Sequence, residues 1–199
     1  MENKPPVMLK IARLAFAAWL LVEFLSWLKI LPLTLEFTWL GLMLTASIVW
    51  LALEIISWRL KKTGARYLWG LTYLVSLFSV CIDAFGDIAR FYGTYAWYDQ
   101  VAHFIGGAAV ALVIFDMLVS LQQANKINLP LKGRGAITIG LAMALGSVYE
   151  LEEYLEDVFF ASHRLGDAID TANDMLLNTI GAVIIIVTLV IIRRRKKFQ

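Results

Sequence analysis

Long apolar runs separated by short charged or aromatic connectors set the pattern of this chain. The runs fall at about 11–31, 37–58, 66–90, 99–121, 136–155 and 170–192. Each is close to the roughly 20 residues that an α-helix needs to cross a hydrocarbon layer. The expectation is therefore all-α: a polytopic transmembrane helix bundle of about six spans, with residues 1–199 forming a single domain. Pro32 is expected to end the first span, and Arg59, Lys61 and Lys62 the second. The segment Phe91 to Tyr98 carries rings with polar tips, which suit the headgroup level just before the fourth span. A connector with Lys126, Lys132 and Arg134 precedes the fifth, and Arg193 to Lys197 stops the last. The apolar stretch after Lys10 and Arg13 is too long for a cleaved signal peptide and lacks a small-residue cleavage site, so it is expected as the first span.

Composition strengthens this picture. Hydrophobic residues make up 60% of the chain and the mean hydropathy is +0.71, more apolar than one soluble core of this length requires. Cys81 is alone, which excludes a disulfide framework and a thiolate metal site. Neither a linker nor an internal repeat is visible, so an inverted-repeat transporter gains no support. Basic residues then orient the spans, because short positive loops stay cytoplasmic. Of the 18 Lys and Arg, 15 fall on one side, leaving Lys29, Arg90 and Arg164 on the other. Both termini are expected in the cytoplasm, the chain lying in a plasma (inner) membrane with lipid as its partner and no nucleic acid.

Acids sort the opposite way. Of the 16 Asp and Glu, 11 lie at or just inside the non-cytoplasmic face: Asp83, Asp87, Asp99, Glu150, Glu152, Glu153, Glu156, Asp157, Asp167, Asp170 and Asp174. Charge inside a membrane span is costly and marks functional positions, and here it falls into ladders. Asp99 and His103, four apart, share one helix face. They suit a metal ligand pair or an acid–base pair, or else an N-cap and an interhelical polar contact. Glu150, Glu153, Tyr154 and Asp157 follow i, i+3, i+4, i+7, one stripe, with Glu152 and Glu156 expected at the rim. The plain alternative is a helix ending near Tyr149 with solvated acids. Asp170, Asp174 and Asn178 descend into the last span, with Asp167 and Asp170 open to a capping role. Asp83, Asp87 and Arg90 form a further ladder, which a frayed helix end would also explain. Glu54 and Asp116 are expected near the cytoplasmic end, and Glu23 elsewhere along the bundle. Small residues at Gly106, Gly107, Ala108, Ala109, Gly140, Ala144, Gly146, Gly181 and Ala182 fit close packing of the last three spans.

Three motifs carry a resemblance. Tyr98-Asp99-x-x-x-His103-x-x-Gly106-Gly107, Tyr149-Glu150-x-x-Glu153-Tyr154 and Gly166-Asp167-x-x-Asp170-Thr171-x-x-Asp174-Met175-x-x-Asn178-x-x-Gly181 resemble the small bacterial inner-membrane proteins called YjdF-like, and more distantly the VanZ-like group. The resemblance spans about Asp83 to Ala182 and implies a helical membrane fold with a polar cluster. It carries no activity with it.

Two active readings compete. In the first, a membrane enzyme uses Asp99, His103, Glu150, Glu153, Asp170 and Asp174 to hold a divalent metal ion, zinc or similar. His103, Asp99, Glu150 and Asp174 then do the chemistry on a lipid or lipid-linked substrate. The H-E-x-x-H spacing of known metalloenzymes is absent. In the second, an acidic vestibule binds or transports a cation, protons or a cationic drug. A structural or assembly role is the third alternative.

Overall fold

The computed structural model describes residues 5–35, 39–161 and 164–195, the side chains of 193–195 excepted. Lys4, Phe37, Lys196 and Lys197 therefore lie outside the described residues. Within them the chain is helical, with no strand: α1 (Val7–Trp27), α2 (Trp39–Lys62), α3 (Gly70–Ile88), α4 (Phe91–Thr94), α5 (Tyr98–Gln123), α6 (Leu131–Phe160) and α7 (Ala168–Arg195). Four of these, α2, α3, α5 and α7 as far as Ile192, are long and apolar enough to cross a membrane. α1 and α6 have the length but carry more charge: Lys10, Arg13 and Glu23 in the first, Lys132, Arg134 and five terminal acids in the second.

Boundaries differ from the sequence expectation for identifiable reasons. α1 stops at Trp27, well before Pro32, because Lys29 turns left-handed at φ 60° and the amides of Lys29 and Ile30 close back on Ser26 and Leu25. α3 begins at Gly70, not Arg66. Asp116 of α5 accepts from the Trp69 amide at 2.7 Å and the Thr72 hydroxyl at 2.8 Å, capping α3 from a neighbouring helix. α6 is longer than expected and runs on to Phe160, ending where Ala161 turns left-handed at φ 51°.

Successive long helices run in opposite directions, which gives the bundle two ends. Arg13 meets Glu54, and Arg66 meets Asp116 and Gln123, gathering the starts of α1 and α3 with the ends of α2 and α5. Leu9, Phe16, Leu53, Leu60, Leu68 and Tyr73 form an apolar core there. A second core joins α5, α6 and α7 through Ala111, Phe115, Val119, Ala142, Ala182 and Ile186. Leu, Ile and Val side chains on the outer faces of α2 and α7 stay exposed, as lipid contact requires. The far end collects the acids.

Candidate functional site

Small residues decide how closely the site helices approach. Gly107 of α5 lies against the backbone of Asn178, and Gly181 of α7 against the carbonyl of Phe104, so that a Cβ at either would overlap main-chain atoms. This permits the close α5–α7 contact, the most extensive in the bundle. Gly146 of α6 leaves room for the Asn178 side chain, 3.2 Å from where a Cβ would stand. Gly140 faces open space and takes no part.

The contact seats His103 inside the bundle, 6% exposed. Its two ring nitrogens meet different neighbours. Nε2 is 3.4 Å from Asp99 Oδ1 and 3.8 Å from Asp174 Oδ1. Nδ1 lies 3.1 Å from Asn178 Nδ2 and 3.6 Å from Glu150 Oε1. An amide NH2 only donates, so Nδ1 accepts and the proton of the neutral ring sits on Nε2, facing Asp99 and Asp174. The Tyr149 ring packs edge-on against the imidazole with centroids 5.8 Å apart. Asp174 is 2% exposed and Glu150 5%. Asp174 Oδ1 and both Glu150 oxygens are buried without a hydrogen-bond partner among the described residues. Two sets of atoms come within 4.8 Å of one another, Asp99–His103–Asp174 and His103–Glu150–Glu153, either of which has ligand types suited to a metal ion.

A second group surrounds Arg164, a residue of the α6–α7 connection whose side chain is buried in the bundle end. Its guanidinium is 3.4 Å from Asp83, 3.4 Å from Glu153 and 3.8 Å from Glu156, and it donates to the Tyr149 hydroxyl at 2.9 Å. Its backbone amide donates to Asp157 at 2.8 Å, which folds the connection back onto α6. Burial on its own would lower the Arg164 pKa; Tyr149, Asp83, Glu153 and Glu156 outweigh it and hold the group well above its usual value. Tyr92, in α4, donates to Asp83 at 2.7 Å, and burial followed by the Asp83 charge raises its phenol well above 10. Glu153 and Tyr149 thus touch both groups.

The remaining candidates are distributed unevenly. Asp170 is half-buried, its carboxylate seated over Gly166, which has φ +67° and no Cβ to obstruct it, and it interacts electrostatically with Asp99 and His103. Asp167 caps α7, accepting from the amides of Ile169 and Asp170 at 2.8 and 3.0 Å. Asp87 is buried on α3, whereas Arg90 is exposed. Tyr154 is 49% exposed and points away from the cluster, while Glu156, expected at the rim, is buried. The stripe was centred one residue off. Gly135, Thr138, Ala142, Gly146, Tyr149, Glu153 and Glu156 are each three or four residues apart, and this run, starting from small residues, defines the inward face of α6.

Spacing also missed Arg164, Tyr149 and Glu23. Glu23 is fully buried at the end of α1, without a hydrogen bond among the described residues, near enough to Asp83 to feel its charge. A lone carboxylate in a 21-residue apolar helix was the available signal.

Neither a curated protein nor a solved structure matches the chain. A family model described as predicted membrane protein (DUF2238) matches residues 12–195, nearly the whole length. The chain belongs to the DUF2238 family of predicted membrane proteins.

Proposed function

We propose that this membrane protein is a metal-dependent enzyme acting on a lipid or lipid-linked substrate at the acidic, non-cytoplasmic face of the bilayer. The observation that carries this reading is the meeting of Asp99, His103 and Asp174 from two helices, with buried carboxylate oxygens that no described protein donor satisfies. A buried carboxylate without a partner is costly, and coordination of a cation offsets that cost. One imidazole and two carboxylates suit zinc or a related divalent ion and leave coordination positions for water and substrate. Such an ion would polarise an ester or phosphoryl oxygen and lower the pKa of bound water. Asp99, His103 and Asp174 hold and orient. Asp170, half-buried and within electrostatic reach of Asp99 and His103, would be the base that takes a proton from water.

The finer topology belongs to the same reading. α1 and α6 complete six spans with both termini cytoplasmic in the inner membrane, the arrangement that the distribution of basic residues favours. Cation or proton passage is the competing reading, and it needs relay groups at the other end. There Glu54 and Asp116 are engaged by Arg13 and Arg66, which favours the enzyme.

The test incubates detergent-purified protein with labelled bacterial lipid extract and either Zn²⁺ or a chelator. A product released by wild type with Zn²⁺, and absent for His103→Ala, is the expected result. No product from any lipid under any metal would overturn the enzyme reading, and cation flux in proteoliposomes would replace it with transport.

A further inference from the structure

Resting on that metal reading, we propose that the cation binds only on the Nε2 side of His103, held by Asp99, His103 and Asp174, and that Glu150 is a positioning residue that accepts a hydrogen bond from Nδ1–H, taking the place of Asn178 at that nitrogen. A neutral imidazole coordinates a metal through a nitrogen that carries no proton, so the two sides of the ring are alternatives. The Nε2 side has two aspartates at 3.4 and 3.8 Å, and Asp174 Oδ1 there has no hydrogen-bond partner. The Nδ1 side is already engaged by the Asn178 amide at 3.1 Å. Coordination through Nε2 puts the ring proton on Nδ1. The Asn178 NH2 group then opposes an N–H and must yield, while Glu150 Oε1 at 3.6 Å becomes its acceptor. This gives Glu150, 5% exposed with both oxygens unpartnered, a specific partner: an N–H that exists only with the cation bound. A carboxylate behind a metal-bound histidine fixes the ring and raises its basicity.

Asn178 makes the arrangement two-sided. Its backbone is pinned under Gly107 and its side chain lies in the space left by Gly146, so the amide group moves by rotation about its own bonds. Without cation it holds the ring with Nε2 protonated; with cation its interaction is lost and that of Glu150 gained.

The experiment titrates Zn²⁺ into detergent-purified protein by calorimetry and follows the imidazole nitrogens by ¹⁵N NMR, for wild type, Glu150→Gln, Asn178→Ala and Asp174→Asn, with helical circular dichroism as the check on folding. Wild type should bind one Zn²⁺, with His103 passing from Nε2–H to Nδ1–H. Asp174→Asn should lose binding. Glu150→Gln should keep one site with affinity weakened about 10- to 100-fold. Asn178→Ala should bind as tightly as wild type or tighter, a sign opposite to that of any merely structural loss. Wild-type affinity in Glu150→Gln overturns the positioning role. Complete loss of the site in Glu150→Gln makes Glu150 a ligand and overturns the Nε2 assignment. Absence of Zn²⁺ binding in folded wild type overturns the metal reading itself, and this inference with it.

Discussion

The two ends of the bundle handle buried carboxylates in opposite ways. At the base-rich end Glu54 takes both arms of the Arg13 guanidinium at 2.7 and 2.6 Å. Asp116, fully buried, accepts from Arg66, the Trp69 amide and the Thr72 hydroxyl. Each acid there is matched by a base or by main-chain donors, and its charge does structural service, one as a bridge and the other as the cap of α3. At the acidic end Arg164 serves Asp83, Glu153 and Glu156 at once, and His103 faces Asp99, Asp174 and Glu150, while Lys29 and Arg90 stay exposed. Membrane helices pack without needing such a surplus. Carboxylates left unmatched against the cost of burying them point to a cation from outside the chain.

Substitutions can break this contrast. The largest effect is expected for Asp116→Ala, which leaves a guanidinium and a helix N-terminus unmatched; breaking a buried pair costs about 3–5 kcal/mol. Thermal unfolding in detergent should show a large drop in Tm. Gly107→Leu comes next, since the added side chain must displace the Asn178 backbone; overpacking of this kind costs about 1–3 kcal/mol, and the same melts measure it. Asp174→Asn reverses the pattern. Removing a buried charge with an unsatisfied oxygen should leave the metal-free protein as stable as wild type or up to about 1 kcal/mol more stable. A loss of several kcal/mol without metal would make Asp174 structural, like Asp116. Smallest is Arg13→Ala, below about 1 kcal/mol, because the Arg13–Glu54 side chains are 29% and 32% exposed and partly screened.

How much of this was legible in the sequence depends on the range of the signal. Hydropathy over twenty residues marks the long helices and their alternating direction, and Asp99 and His103 share a face by spacing alone. Local rules failed where the deciding partner lies far along the chain. α3 starts at Gly70 because Asp116 caps it from 47 residues away, and Arg164 counted in the sequence only as a base on the acidic side until the turn at Ala161 carried it into the bundle. Tyr154 and Glu156 exchanged places because the stripe was started at Glu150, without the small residues that precede it on the same helix. Extended back through Gly135, Thr138 and Ala142, the same helix shows its inward face correctly. The position of Asn178 beside Nδ1 depends on how α5 crosses α7, which no spacing within one helix specifies.

The most direct measurement is the metal content of protein purified in detergent without chelator, for wild type and Asp174→Asn side by side, with Asp116→Asn as the control from the other end. The metal reading predicts about one divalent ion per chain in wild type and none in Asp174→Asn, at equal helicity. Folded Asp116→Asn should retain the ion. Equal metal in wild type and Asp174→Asn, or none in either, would contradict it.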